Sequence, residues 1–557
     1  MTCQSAGCCF FPEVSLSSQG DPGRRSPTCR PSLRSFCLWH ALVTTGAALC
    51  LALGNPGTGW TADQPQWGQR FTRNMISEET HLPDSFDPQT GKNIKWSVVL
   101  GSNTYSSPVV AQGRVFIGIN NAKPRDPRHE GDRAILLCLD EQTGEPIWQL
   151  VVPRLGEDDP YLDWPRISMC SPPTVEGNRI YTVTNRFEVV CLDLEGQRNG
   201  NDGPYLAEGQ HMVPPGEKPL EVTPFDADIL WLFDMPSQAG IYPHDGAHAS
   251  ILLDGRFLYL NSGNGVDNTH RRIRKPDAPS LIVLDKNTGK LVAQDAEHIG
   301  PRIFHATWSS PALAEINGQR LIIFCGGDGV VYAFEALPQD FQSAQVAPLR
   351  LVWKFDCDPT APKENVHQYI TNRKVSPSNI KSMPVVYRNR VYVTVGGDIW
   401  WGKREAWLKC IDATGYGDVT HTHQLWSYPL KEHCCSTPSI WNGLVFVADC
   451  GGYLHCVDAE TGQAYWTHDL EGEVWASTLV ADGKVYVGTR RGLFWIFKAD
   501  STKQLLARIE LGDGTASTAV AANGVLYVTT LSRLYAIAYP QSPPAAVSQT
   551  PVRQTGK

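Results

Sequence analysis

The 557-residue chain is 42% apolar and 19% charged, with 49 Gly, 40 Pro and 17 Trp and a formal net charge of −8. That Gly, Pro and Trp content suits many short strands joined by turns, and it excludes a helical bundle or a disordered chain. With an acidic balance and no long basic run, the chain also lacks the electrostatics of a nucleic-acid binder.

In chain order, residues 1–62 stand apart. Arg24, Arg25, Arg30 and Arg34 precede an apolar stretch at 36–53, and a small, polar segment at 54–62 follows. This order predicts a secretory signal peptide, while the apolar length also suffices for a retained membrane anchor. On either reading the rest of the chain is exported to the periplasm or cell envelope, and membrane contact is confined to this segment. Leu49 before Cys50 argues against a lipoprotein signal, because a small residue should stand there. Residues 541–557 are expected to be a disordered tail.

Between these ends one unit recurs. Its clearest copy begins Ser436-Thr437-Pro438, turns at Asn442-Gly443, reaches Asp458, turns again at Thr461-Gly462 and continues to Trp466. The second residue of the opening pair falls at 108, 172, 250, 311, 384, 438, 478 and 518, so there are eight copies, the last two intervals being 40 residues each. A unit of about 40 residues with four strands predicts a propeller blade, and the longer intervals predict blades with insertions. Trp96, Trp148, Trp231, Trp353, Trp426 and Trp466 share one place in the outermost strand; the copies after residues 285 and 500 lack it. The last copy, from Ser517, has no fourth strand, so the segment containing Trp96 is expected to complete it and close the ring. Cys138, Cys191, Cys410 and Cys456 share a phase two residues before the Asp, which reads as a small buried position rather than a disulfide framework.

At this point the chain resembles the PQQ-repeat, or quinoprotein-dehydrogenase-like, propellers, over about residues 66–540. The resemblance implies an all-β, eight-bladed β-propeller of four-stranded antiparallel blades, set out over 63–540. It also implies that the six tryptophans are structural docking residues packed between neighbouring blades. It says little about activity, because the family holds dehydrogenases and non-enzymatic scaffolds alike.

Successive connections in a blade alternate between the two faces of the disc. The first-to-second and third-to-fourth connections are tight here, apart from inserts near 196–228 and 336–350. The long inserts fall mostly in the other class, so they decorate one face, where binding groups are expected to concentrate. On that face the candidates for ligand or cofactor binding are His248, His305, Trp308, Asp398, Trp400, Trp401, Cys434 and Cys435. Imidazoles, carboxylates and indoles around a channel mouth suit a polar ligand or a metal, although such loops also simply bond to one another. In the PQQ-dependent alcohol dehydrogenases adjacent cysteines form a vicinal disulfide against the cofactor. Cys434-Cys435 fits that role by face but not by chain position, and two unrelated thiols are the other reading.

No metal site stands out; Asn264 and Asp267 are weak candidates for the hard oxygens that Ca²⁺ would need. No residue aligns with the family's catalytic Asp, and no Cys-x-x-Cys-His haem attachment occurs. The expected function is therefore that of a non-catalytic scaffold that binds a protein or a small polar ligand on its decorated face. In architecture and repeat sequence the chain resembles the propeller lipoproteins of outer-membrane-protein assembly. A PQQ- and Ca²⁺-dependent oxidoreductase acting on an alcohol or sugar is the alternative. The scaffold is expected to be a monomer.

Overall fold

The computed structural model describes residues 62–155, 165–244 and 246–540. The signal or anchor expected over 1–62, save for Ala62, and the tail expected over 541–557 lie outside the described residues. Among the described residues no helix is long and apolar enough to cross a membrane.

Eight sheets follow one another along the chain, each built on an antiparallel four-stranded path with its first strand innermost. Blade 1 runs over 109–153, blade 2 over 174–234, blade 3 over 252–294, blade 4 over 312–356 and blade 5 over 378–429. Blades 6 and 7 cover 439–469 and 479–510. Blade 8 takes three strands from 520–537 and its fourth from Ile94–Val99, which pairs antiparallel with Arg533–Ile537. The ring therefore closes through residues from opposite ends of the fold. Short parallel strands Ala347–Pro348 and Gly417–Asp418, carried by the third-to-fourth inserts, widen blades 3 and 4.

The inner hairpins turn where the sequence places Asn-Gly or Asp-Gly. Asn442, Asp482 and Asn523 adopt φ of 49°, 50° and 52°, each followed by a glycine at positive φ, the geometry that a two-residue turn between right-twisted strands requires. The core lies between blades rather than within them. Eight buried apolar clusters each join two consecutive blades, and one of them joins blade 8 to blade 1. All six repeat tryptophans are buried in these layers. In five of them the indole N–H donates to a backbone carbonyl of the next blade: Trp96 to Glu141, Trp148 to Leu194, Trp231 to Lys286, Trp426 to Ala459 and Trp466 to Asp500. The Thr-Gly turn serves the same contact. A Cβ on Gly462 would lie 2.7 Å from the Trp426 ring, and one on Gly144 would lie 2.8 Å from Trp96. The Ser or Thr of the opening pair also works between blades. Ser310, Thr437, Ser477, Thr518 and Ser107 each accept, on the side-chain hydroxyl, a backbone N–H from the preceding blade.

An unexpected element fills the channel. Before reaching blade 8, residues 62–79 cross the ring and bond to the inner edge of every blade. Gln64 pairs with Val110 in both directions, Pro65 O accepts from Val175, Phe71 O from Leu313, Thr72 O from Val386 and Met75 O from Val480. The Asn74 amide satisfies both backbone groups of Ile440 at 2.8 and 2.9 Å. Arg73 reaches the carbonyls of Ser250 and Pro311, while Ser77 donates to Ala521 O and Glu79 accepts from Asn523 and Gly524. Innermost strands are sheet edges with unpaired backbone groups facing the axis. This plug supplies their partners. It lies toward the tight Gly turns, so it forms a floor seen from the decorated face.

On the opposite face the insert 194–228 returns at Asp228, which is fully buried and accepts a hydrogen bond from Asp202 N–H at 3.1 Å. Burial, with Glu208 and Asp193 nearby, pushes its carboxyl up to about 6. A carboxyl raised in the folded state holds a proton that the unfolded chain has already lost, so its contribution to stability falls as pH rises from about 4 through 6. Asp228→Asn is expected to be near neutral at about pH 4 and to stabilise by about 2 kcal/mol at about pH 7.5. Denaturation midpoints at the two pH values check this; an equal effect at both would contradict it.

Candidate functional site: an aromatic pocket at the channel mouth

Above the plug, on the decorated face, lies a cavity of about 120 Å³. Each blade contributes to its wall through the residue two or three positions before the second member of its opening pair: Tyr105, Cys170, His248, Trp308, Lys381, Cys435, Trp475 and Ala516. The blade-5 loop after strand Arg390–Gly397 adds Ile399 and Trp400, and the plug adds Trp67. The ring of repeats thus converges eight equivalent positions on one axial site.

The walls are mostly aromatic. Tyr105 stacks on Trp475, with ring centroids 6.3 Å apart, and Trp400 meets Trp475 and Trp308 edge-on at 5.8 and 5.7 Å. His248 leans on Trp308 at 5.0 Å. Lys381 Nζ lies 5.1 Å from the Trp308 ring centroid, within cation–π range. The indole N–H groups of Trp67 and Trp308 are buried without a hydrogen-bond acceptor. Two orphaned donors on one lining are a feature that a ligand with acceptor atoms would explain.

Asp398 stands behind this wall, fully buried. Its Oδ2 accepts from Lys381 Nζ at 2.7 Å, His305 Nδ1 at 3.0 Å and Asn379 Nδ2 at 3.1 Å. Its Oδ1 accepts the backbone N–H groups of Trp400 and Trp401 at 3.0 Å. Burial alone would raise this carboxyl, but Lys381 and His305 hold it well below the usual carboxylate range. Asp398 therefore orders the Trp400-Trp401 turn and anchors Lys381. Trp401 faces away from the pocket toward His270, at 5.1 Å between rings.

The two adjacent cysteines diverge. Cys435 lines the pocket, whereas Cys434 turns into the apolar layer between blades 5 and 6, where its thiol donates to Ala448 O at 3.2 Å. Both are free thiols, because one side chain of the pair must face the sheet interior as the inner strand begins. Burial pushes the Cys434 thiol up, and a hydrogen bond with Cys435 followed by burial raises Cys450. His433, in the same loop, is pushed down to about 4 by burial and then by Lys381, so it is neutral. Asn264 and Asp267 are taken up inside their own insert. The Asn264 amide bonds to Tyr242 N and Lys275 O, and Asp267 bonds to Thr269 and Arg272.

Sequence reasoning missed Trp67, Lys381, Tyr105 and Trp475. The last three could have been found by reading the residue just before each opening pair across all copies. Trp67 carries no repeat signal.

The resemblance suggests PQQ with Ca²⁺, and the described lining does not fit that pair. Among the described lining residues there is one cation, Lys381, and no carboxylate. A quinone bearing three carboxylates and a hard cation needing six or more oxygens would both lack their partners here. Asp398 is already saturated by its own donors.

The molecule is an eight-bladed β-propeller with a closed floor and an aromatic axial pocket. Residues 404–538, from the third strand of blade 5 to the end of blade 8, match the family model described as outer membrane protein assembly factor BamB. No curated protein matches the chain in sequence. Similar solved structures include BamB from Moraxella catarrhalis, 11% identical over 81% of this chain and 98% of that one, TM-score 0.47. The quinohemoprotein alcohol dehydrogenase from Comamonas testosteroni is 13% identical over 86% and 82%, TM-score 0.42. The computationally designed Ika8 protein is 10% identical over 80% and 100%, TM-score 0.45.

Proposed function

We propose that this chain is a non-catalytic binding scaffold of the cell envelope that takes a flat, anionic ligand group into its axial pocket. The observation that carries the reading is the described lining itself: aromatic faces, two indole N–H donors without acceptors among the described residues, and the Lys381 ammonium. Planar apolar surface would stack on Trp400 and Trp475, acceptor atoms would meet Trp67 and Trp308, and one negative charge would meet Lys381. The saturated hydrogen bonding of Asp398 speaks for a rigid binding role over proton transfer, because a general base needs a free lone pair toward its substrate. The envelope location rests on the charge and apolar order of residues 24–62 and on the description of the matched family model.

The probe is 1-anilinonaphthalene-8-sulfonate, a planar aromatic with one negative charge. The wild type is expected to bind it at one site with fluorescence enhancement. Trp475→Ala, which removes a half-exposed wall, should weaken binding about tenfold, the equivalent of one aromatic contact. No enhancement, or a Trp475→Ala affinity equal to wild type, would rule the pocket out.

A further inference from the structure

Behind the Trp308 and Trp400 wall, three inserts meet and bring together His244, His270 and His305. We infer that this cluster is a binding site for a late first-row divalent metal ion such as Zn²⁺. One ligand nitrogen from each of the three lies within 4.8 Å of the others. His244 Nε2 and His270 Nε2 are 3.0 Å apart. Two imidazole nitrogens on one tetrahedral Zn²⁺, at bond lengths of about 2.0–2.1 Å, stand about 3.3 Å apart, so the His244–His270 pair needs to open by only a few tenths of an ångström, and His305 completes the set from within 4.8 Å.

The backbone preorganises this approach. His244 lies in the connection from blade 2 to blade 3, His270 in the blade-3 insert and His305 in the connection from blade 3 to blade 4. Bridges Pro243↔Asn264 and Gly265↔Ala306 stitch the three segments side by side, with Gly265 N bonded to Tyr242 O and Val266 N to His305 O. A Cβ on Gly265 would lie 2.7 Å from His305 O and 2.8 Å from His244 Cβ. Only glycine lets the two histidines come this close across the middle segment.

The electrostatics agree. His305 Nδ1 bonds to the Asp398 carboxylate, which requires the proton on Nδ1, so Nε2 is the nitrogen of His305 that would ligate. A carboxylate behind a ligating imidazole fixes its tautomer and strengthens it as a ligand. Imidazole nitrogens suit Zn²⁺, Co²⁺ or Cu²⁺ rather than Ca²⁺ or Mg²⁺. Among the described residues a second cluster, Asp126, His129 and Asp226, offers two carboxylates and one imidazole, and the Arg128 guanidinium bonds to both carboxylates. Since Asp398 holds both His305 and Lys381, the metal would be coupled to the pocket through one carboxylate. The site itself stands whether or not the pocket binds a ligand.

The test is titration of chelator-treated, full-length protein with Co²⁺, whose visible d–d bands report four-coordinate binding, followed by displacement with Zn²⁺. One Co²⁺ per chain is expected for the wild type. His270→Gln, at a half-buried position, should weaken binding at least about 100-fold while keeping the thermal midpoint and the anilinonaphthalene-sulfonate affinity. Asp398→Asn should weaken it about 10–100-fold. The inference is overturned if the wild type binds no Co²⁺ or if His270→Gln and His305→Gln bind it as tightly as the wild type.

Discussion

Arg73→Met is expected to lower stability by about 3 kcal/mol and to abolish anilinonaphthalene-sulfonate binding as well. The guanidinium is fully buried and makes hydrogen bonds to Pro311 O at 2.9 Å, Trp67 O at 3.0 Å, Ser250 Oγ at 3.1 Å and Ser250 O at 2.8 Å. Among the described residues no carboxylate answers its charge, and burial pushes its pKa down to about 9, still well above neutrality. Removing it leaves three carbonyls buried without donors, at about 1–3 kcal/mol each, partly offset by relief of the buried charge. The consequence for the pocket is larger than the energy suggests. Arg73 ties Trp67, the pocket floor, to blades 3 and 4, so losing it detaches the plug from one side of the ring. Arg73→Lys is expected to do nearly the same, because a point charge cannot serve three carbonyls in different directions. Urea unfolding of both variants checks this; midpoints within about 0.5 kcal/mol of wild type would show that the plug holds without its arginine.

Trp426→Ala is expected to cost about 3–5 kcal/mol, through the cavity it opens between blades 5 and 6 and the lost hydrogen bond to Ala459 O. Gly462→Ala attacks the same interface from the other blade. Its φ is +74° and the new Cβ would lie 2.7 Å from the indole, so strain and overlap together should cost about 2–4 kcal/mol. In the double variant the methyl enters space the indole has left. The combined loss should fall short of the sum by more than about 1 kcal/mol in a double-mutant cycle. Gly443→Ala is the control: φ is +79° but nothing lies within 4 Å of its Cβ, so only strain remains, about 1 kcal/mol. Strict additivity of Trp426→Ala and Gly462→Ala would mean that turn and indole do not recognise each other as the contact implies.

Much of this protein is legible in its sequence because a blade is a local object. Asn442-Gly443 and Thr461-Gly462 mark turns by backbone chemistry, and the spacing from Pro438 to Trp466 measures one four-stranded sheet. Repetition of that unit fixes the number of blades, and the incomplete last copy points to Ile94–Val99 as the closing strand. The decorated face was readable for the same reason: connections alternate faces once the strands are counted. His248, Trp308, Trp400 and Cys435 do meet in one pocket, since repeat phase places each at the inner end of a blade. Phase gives a backbone position but not a side-chain direction, and Cys434 accordingly turns into the core beside its neighbour. Residues 62–79 carry no period, and their partners lie up to hundreds of residues away on eight different edges. Only the closed ring, which leaves those edges facing one axis, decides that this segment becomes the plug and Trp67 the floor. The histidine cluster was equally beyond the sequence. His244, His270 and His305 sit in three inserts with no shared motif, and what joins them is the narrow backbone at Gly265 and the carboxylate of Asp398 from another blade.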